Sequence, residues 1–167
     1  MKKLIVCILC FTMMLSLCSC KANEEEILEP AEFYYCRETI GYNSLEGVIA
    51  AETRESVHFA GDPQLLLESY LRGPRSEEMI SPLPAGVKLL SYEKIDDTVF
   101  LLFSKEFSTL SGIRLSTACS CIVMTLYAYA DVTQVCFQAK SGQLDNKDEV
   151  TMTISDIVLL DTMVEEG

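Results

Sequence analysis

Four of the eight cysteines, the one histidine and three pairs of neighbouring carboxylates are the side chains beyond the N-terminal apolar run whose types and spacing could carry chemistry in this 167-residue chain. Cys36, Cys119, Cys121 and Cys136 sit inside apolar runs (YYCRE, TACSCIVM and QVCFQ), where cysteine acts as a small hydrophobe. Buried free thiols are the expectation, with a disulfide as the alternative for an exported chain. On a helix Cys119 and Cys121 point about 200° apart and cannot share one metal ion. His58 is the single histidine; it falls between a polar strand and a capped helix, the setting of a solvated loop residue. Serines are plentiful, yet none lies in Gly-x-Ser-x-Gly, and no phosphate-cradling glycine loop occurs. Glu77 with Glu78, Asp96 with Asp97 and Asp145 with Asp148 each fall in a loop or turn, where solvation accounts for them. The segment LDNKDEV lacks the central glycine of a calcium loop. No catalytic residue, metal site or cofactor is expected, and the chain reads as a non-enzyme.

One further thiol has a different chemistry. Lys2 and Lys3 precede Leu4 to Leu17, 14 residues without a charge. As a helix this run would reach about 21 Å, short of the hydrocarbon thickness of about 30 Å. A basic start, a short apolar run and small residues after it describe an export leader. Cys20 has Leu17 three positions before it and Ser19 just before it, whereas Cys18 directly follows the bulky Leu17. LSLCSC resembles a bacterial lipobox, which implies cleavage before Cys20 and a diacylglyceryl thioether on its sulfur. Residues 1–19 are then a lipoprotein signal peptide, and residues 20–32, with KANEEEILEPAE, a flexible acidic tether too poor in apolar side chains to fold.

Without the leader the chain keeps 11 basic against 25 acidic side chains, a formal charge of −14. That balance lacks the basic footprint of a nucleic-acid binder. The remaining length suffices for one domain with a real core, placed at residues 33–161, followed by a tail at 162–167.

The elements follow from local patterns. FYYCRE and VIAAETRESVHF read as an antiparallel hairpin. In DPQLLLESYLRGP, Asp62 is placed to cap a helix, Pro63 to open it, Gly73 to close it and Pro74 to stop it. Leu66, Leu67, Tyr70 and Leu71 give that helix one apolar face. After a proline-bearing loop, VKLLSYEKIDDTVFLLF reads as two strands joined at Asp96-Asp97. The second strand is apolar on both faces, so it is either central and covered twice or presents a hydrophobic surface. Ile113 to Ala130 reads as a long helix with Ser111 at its start, and TQVCFQAK and the run from Glu149 as two more strands. The expected fold is α+β: a small, mixed, mainly antiparallel sheet with two helices packed on one face.

The order of these blocks resembles the GerMN domain family of sporulation and spore-germination lipoproteins. Family members run from an Asp-Pro helix ending in Gly-Pro through "GTKLLS", "DFSEEF" and "NTL" to a strand ending in a glycine turn. Here those places hold Asp62 and Pro63, Gly73 and Pro74, GVKLLS, LLFSKEF, MTL (Met124 where Asn is common) and KSGQ. The resemblance implies a non-enzymatic module like ring-building domains, which assemble side by side in the bacterial envelope. It implies an extracytoplasmic place at the cell membrane, lipid-anchored through Cys20, with an envelope protein or a second copy as partner. A binding module for cell-wall glycan or peptide, with Tyr34, Tyr35 and Tyr92 as a stacking surface, is the alternative.

Overall fold

A computed structural model describes residues 30–38, 47–54, 62–128, 132–140 and 142–157. The leader, Cys20, His58 and the tail at 162–167 lie outside the described residues. Among the described residues the fold is α+β, with two α-helices and two mainly antiparallel sheets.

The first sheet is built by β1 (Ala31–Arg37), β2 (Ile49–Arg54) and the two-residue β3 (Met79–Ile80), in the order β2-β1-β3. The expected hairpin is present: β1 and β2 pair antiparallel, with Phe33 opposite Glu52 and Tyr35 opposite Ala50. The second sheet holds β4 (Leu89–Ile95), β5 (Thr98–Phe103), β6 (Gln134–Ala139) and β7 (Val150–Thr153), in that order. Asp96 and Asp97 form the β4–β5 turn, and Asp96 adopts a φ of 55°, a conformation that Asp tolerates better than most residues. Pairing of β5 with β6 is parallel, which demands a long crossover. That crossover is a short 3₁₀ turn (Lys105–Thr109) and the long helix α2 (Gly112–Tyr127).

The strands divide into two sheets rather than one, and the reason lies at the edge of β1. Beyond the short β3, the Tyr34 amide donates to the Thr125 hydroxyl of α2 at 3.0 Å. That hydroxyl in turn donates to the Cys121 carbonyl at 2.8 Å. A helix side chain thus takes the place a further strand would occupy.

Helix α1 (Pro63–Tyr70) is shorter than the span from Asp62 to Pro74. Oδ1 of Asp62 accepts from the amides of Gln64 and Leu65 at 3.0 and 3.1 Å, and Pro63 opens the first turn. Gly73 has a φ of 86°, the left-handed conformation that glycine adopts freely. Replacing Asp62 with Ala is expected to cost about 1 kcal/mol in chemical denaturation, the usual worth of such a cap; an unchanged midpoint would show that the cap contributes nothing. The long helix is capped differently from expectation. Ser111 makes no side-chain cap bond; instead both oxygens of Asp145, far along the chain, accept from the Gly112 amide at 2.8 and 3.1 Å.

One core runs between the sheets and helices. Val99, Leu101 and Phe103 of β5, Val135 and Phe137 of β6, and Leu115, Ala118, Ile122 and Leu126 of α2 are buried in it. Phe107 in the 3₁₀ turn stacks on Phe103, with ring centroids 4.6 Å apart. From the other sheet, Tyr35 stacks on Tyr70 of α1 at 4.7 Å and 1° between planes.

Candidate functional site

The side chains with chemical potential are, one after another, occupied by the fold. Cys36, Cys119, Cys121 and Cys136 are free and buried. Burial pushes the Cys119 thiol up to about 12. A hydrogen bond with Cys36, and then burial, drives the Cys121 thiol upward as well. The same bond holds Cys36 below the usual thiol range against its own burial. Cys136 lies 3.4 Å from the Thr151 hydroxyl. Among the described residues, no group of three or more His, Cys, Asp or Glu could hold a metal ion.

The paired carboxylates are dispersed and structural. Asp97 accepts from the Thr133 hydroxyl at 2.7 Å, which holds its carboxyl below the usual range and ties the β4–β5 turn to the start of β6. Asp145 caps α2 and Asp148 accepts from the Gln143 amide at 3.2 Å. Glu77 and Glu78 are exposed in the loop before β3. The structure brings none of these pairs into a common cleft with another.

The three tyrosines offered as a stacking surface are also separated. Tyr35 is fully buried and donates its hydroxyl to the Tyr70 carbonyl at 2.9 Å. Tyr34 is half-buried and donates to Glu32. Tyr92 is half-buried on β4, its hydroxyl enclosed without a hydrogen bond. A sugar ring cannot lie across residues on different faces, one of them wholly enclosed.

What remains is a surface. Both helices pack on the face of the second sheet that carries Val99, Leu101 and Phe103, exposed by 0, 1 and 0 %. The opposite face carries Thr98, Phe100 and Leu102 of β5, opposite Ile95, Glu93 and Ser91 of β4. Register places Cys136 and then Thr151 beside Phe100, and Gln138 beside Leu102. No described helix lies over this face. Phe100 and Leu102 stay half-buried, and Ile95 is 51 % exposed. The strand apolar on both faces is therefore central in its sheet and, among the described residues, covered by helices on one face only. Its apolar centre has a rim of Ser91, Glu93, Gln134, Gln138, Thr151 and Thr153, the anatomy of a contact patch. Burying it needs no catalytic machinery, only a partner of matching shape.

These features define a class: a one-core α+β module whose described helices both lie on one face of a mixed sheet. The chain belongs to the Germane family, described as sporulation and spore germination, whose match covers residues 33–145. Three solved structures share the fold. The tandem GerMN domains of the sporulation protein GerM from Bacillus subtilis align with a TM-score of 0.53 at 22% identity over 72% of this chain and 43% of that one. The first GerMN domain of the same protein gives 0.54 at 18% identity, covering 72% and 91%. A candidate lipoprotein from Clostridium perfringens gives 0.50 at 19% identity, covering 77% and 89%. A comparison with curated proteins returns no match.

Proposed function

We propose that this chain is a lipid-anchored extracytoplasmic assembly module that acts by contact, not catalysis, in the envelope of a spore-forming bacterium. Membership of a sporulation and germination family supports the setting. The lipobox-like LSLCSC and the acidic stretch after it support a tethered globule, with Cys20 as the attachment point, residues 20–32 as the tether and residues 33–161 as a single domain. Asp62, Pro63, Gly73 and Pro74 serve the fold of that domain rather than a binding event. No described helix is long and apolar enough to cross a membrane.

The observation that carries the reading is the face centred on Phe100 and Leu102, over which no described helix lies. An apolar centre with a polar rim is the form a protein contact takes. The partner is a second copy or another envelope protein. Phe100→Glu would place a charge at the centre of the patch without touching the inner core. Light scattering on the purified chain, or co-purification from the native envelope, is expected to show an assembly that Phe100→Glu dissolves while the thermal midpoint stays within a few degrees. A chain that is monomeric at high concentration and captures no envelope protein would remove the proposal.

A further inference from the structure

The end of the second sheet away from the Asp96-Asp97 turn has the opposite charge. Strand β4 begins there, and β5 and β6 end there, because β4 runs antiparallel to β5 and β5 parallel to β6. Each of these three termini carries a lysine: Lys88 just before β4, Lys105 after β5 and Lys140 after β6. Their backbones are pinned. The Lys88 amide donates to the Ser104 hydroxyl oxygen at 3.0 Å, the Ser104 amide to the Lys88 carbonyl at 2.9 Å, and the Lys140 amide to the Phe103 carbonyl at 2.8 Å. The topology therefore brings the three lysine backbones to one end of the sheet. The three lysines line a cleft of about 490 Å³ together with Leu90, Ser104 and Glu106.

The chain as a whole has 25 acidic against 13 basic side chains, so three lysines facing one carboxylate reverse the prevailing sign. The Glu106 carboxyl among them is held below the usual range by the Ser104 hydroxyl and its own backbone amide first, with smaller contributions from Lys105 and Lys88. No ion pair within 4 Å engages the three lysines among the described residues. Three ammonium groups less one carboxylate leave two positive charges, the complement of a phosphate dianion. Lysine contacts phosphate as a point charge with three donors, and a shallow cleft at a sheet end leaves room for whatever the phosphate is attached to.

We propose that this cleft is a binding site for a phosphate-bearing anion, with Lys88, Lys105 and Lys140 as its donors. The phosphate could belong to a soluble polyanion or to an anionic lipid headgroup; the lipid source rests on the membrane tether proposed above, and the soluble source does not. Tripolyphosphate titrated into the purified chain, and flotation with phosphatidylglycerol or phosphatidylcholine vesicles, separate the two. Saturable tripolyphosphate binding is expected, weaker by at least roughly tenfold in the double variant Lys88→Gln and Lys140→Gln, as for the loss of charge-assisted contacts. It should be unchanged in Lys94→Gln, a β4 lysine outside the cleft. Tripolyphosphate binding without vesicle binding supports the soluble source. Phosphatidylglycerol binding that tripolyphosphate displaces supports the headgroup. Binding that is absent in both arms, or that falls equally in Lys94→Gln, overturns the site. Neither result bears on the contact face at Phe100, which lies on the sheet's broad side.

Discussion

Replacing Arg54 by methionine is expected to lower the unfolding free energy by about 3–5 kcal/mol, the loss seen when one member of a buried ion pair is removed. Arg54 and Glu52 are paired with side chains only 4 and 10 % exposed. The guanidinium lies over the Phe33 ring at 4.2 Å from its centroid. One of its terminal nitrogens donates to the Gly73 carbonyl at 2.8 Å and the Tyr35 hydroxyl at 3.2 Å. Glu52 completes the tie: its second oxygen accepts from the amides of Arg75 and Ser76 at 2.7 and 2.8 Å. The pair thus fastens the β1–β2 hairpin to the chain that leaves α1. Methionine would keep much of the apolar stem and lose all these donors. Against a typical domain stability of about 5–15 kcal/mol, the thermal midpoint should fall on the order of 10–20 °C.

The same pair predicts an acid response. Burial would raise the Glu52 carboxyl, but the Ser76 amide, Arg54 and the Arg75 amide outweigh it and hold the group below the usual carboxylate range. Between the folded and unfolded values the unfolded chain binds the extra proton, so stability rises with pH there. The contribution is whole above the unfolded value of about 4.3 and disappears as pH falls through the lower folded one. In Arg54→Met that acid-side slope should shrink, because two amides alone must then oppose burial. Combining Glu52→Gln with Arg54→Met should recover part of the loss, since the substituted amide side chain would keep an acceptor for the Ser76 amide and leave no unpaired charge. A single variant within about 1 kcal/mol of the parent, far below the buried-pair range, would show that the network is incidental.

Neither Glu52 nor Arg54 was legible in the sequence beyond a strand with a polar second half. Their partners at Gly73, Arg75 and Ser76 stand some twenty residues away, and strand periodicity says nothing of what faces an inward-pointing charge. Alternation of Ala50, Glu52 and Arg54 on the face shared with Phe33 and Tyr35 was the available signal. Local events fared better. Asp-Pro before a leucine face marks α1 because cap, first turn and apolar stripe lie within ten residues. Asp96-Asp97 marks a hairpin because the strands on either side alternate in register. The cap on α2 went to Asp145 instead of Ser111 for the same reason that the strands split into two sheets: both are decided by contacts across the fold. Coverage of β5 is another such case. Its sequence is apolar on both faces, and only the placement of both described helices on one side shows which face they cover.

Replacing Cys20 by serine is expected to move the protein wholly out of the membrane fraction and to end incorporation of labelled palmitate. The size of the effect follows from the anchor's physics. Each buried methylene contributes about 0.8 kcal/mol, so two acyl chains on one residue hold a protein where a single chain binds only marginally. The 14-residue run Leu4 to Leu17 is too short to span as a helix, and the three glutamates at 24–26 would be repelled by an anionic surface. Serine at position 20 keeps the size and polarity of the side chain but removes the sulfur that forms the thioether. Cys18→Ser is the matched control: it alters a thiol two residues earlier, directly behind the bulky Leu17, and labelling should persist. Palmitate absent from the parent chain, or lost in Cys18→Ser and retained in Cys20→Ser, would sink the assignment. In the first case the proposed contact face at Phe100 would have to find its partner in solution, without the confinement to two dimensions that the proposed tether at residues 20–32 would impose and that would raise the effective concentration of neighbouring modules.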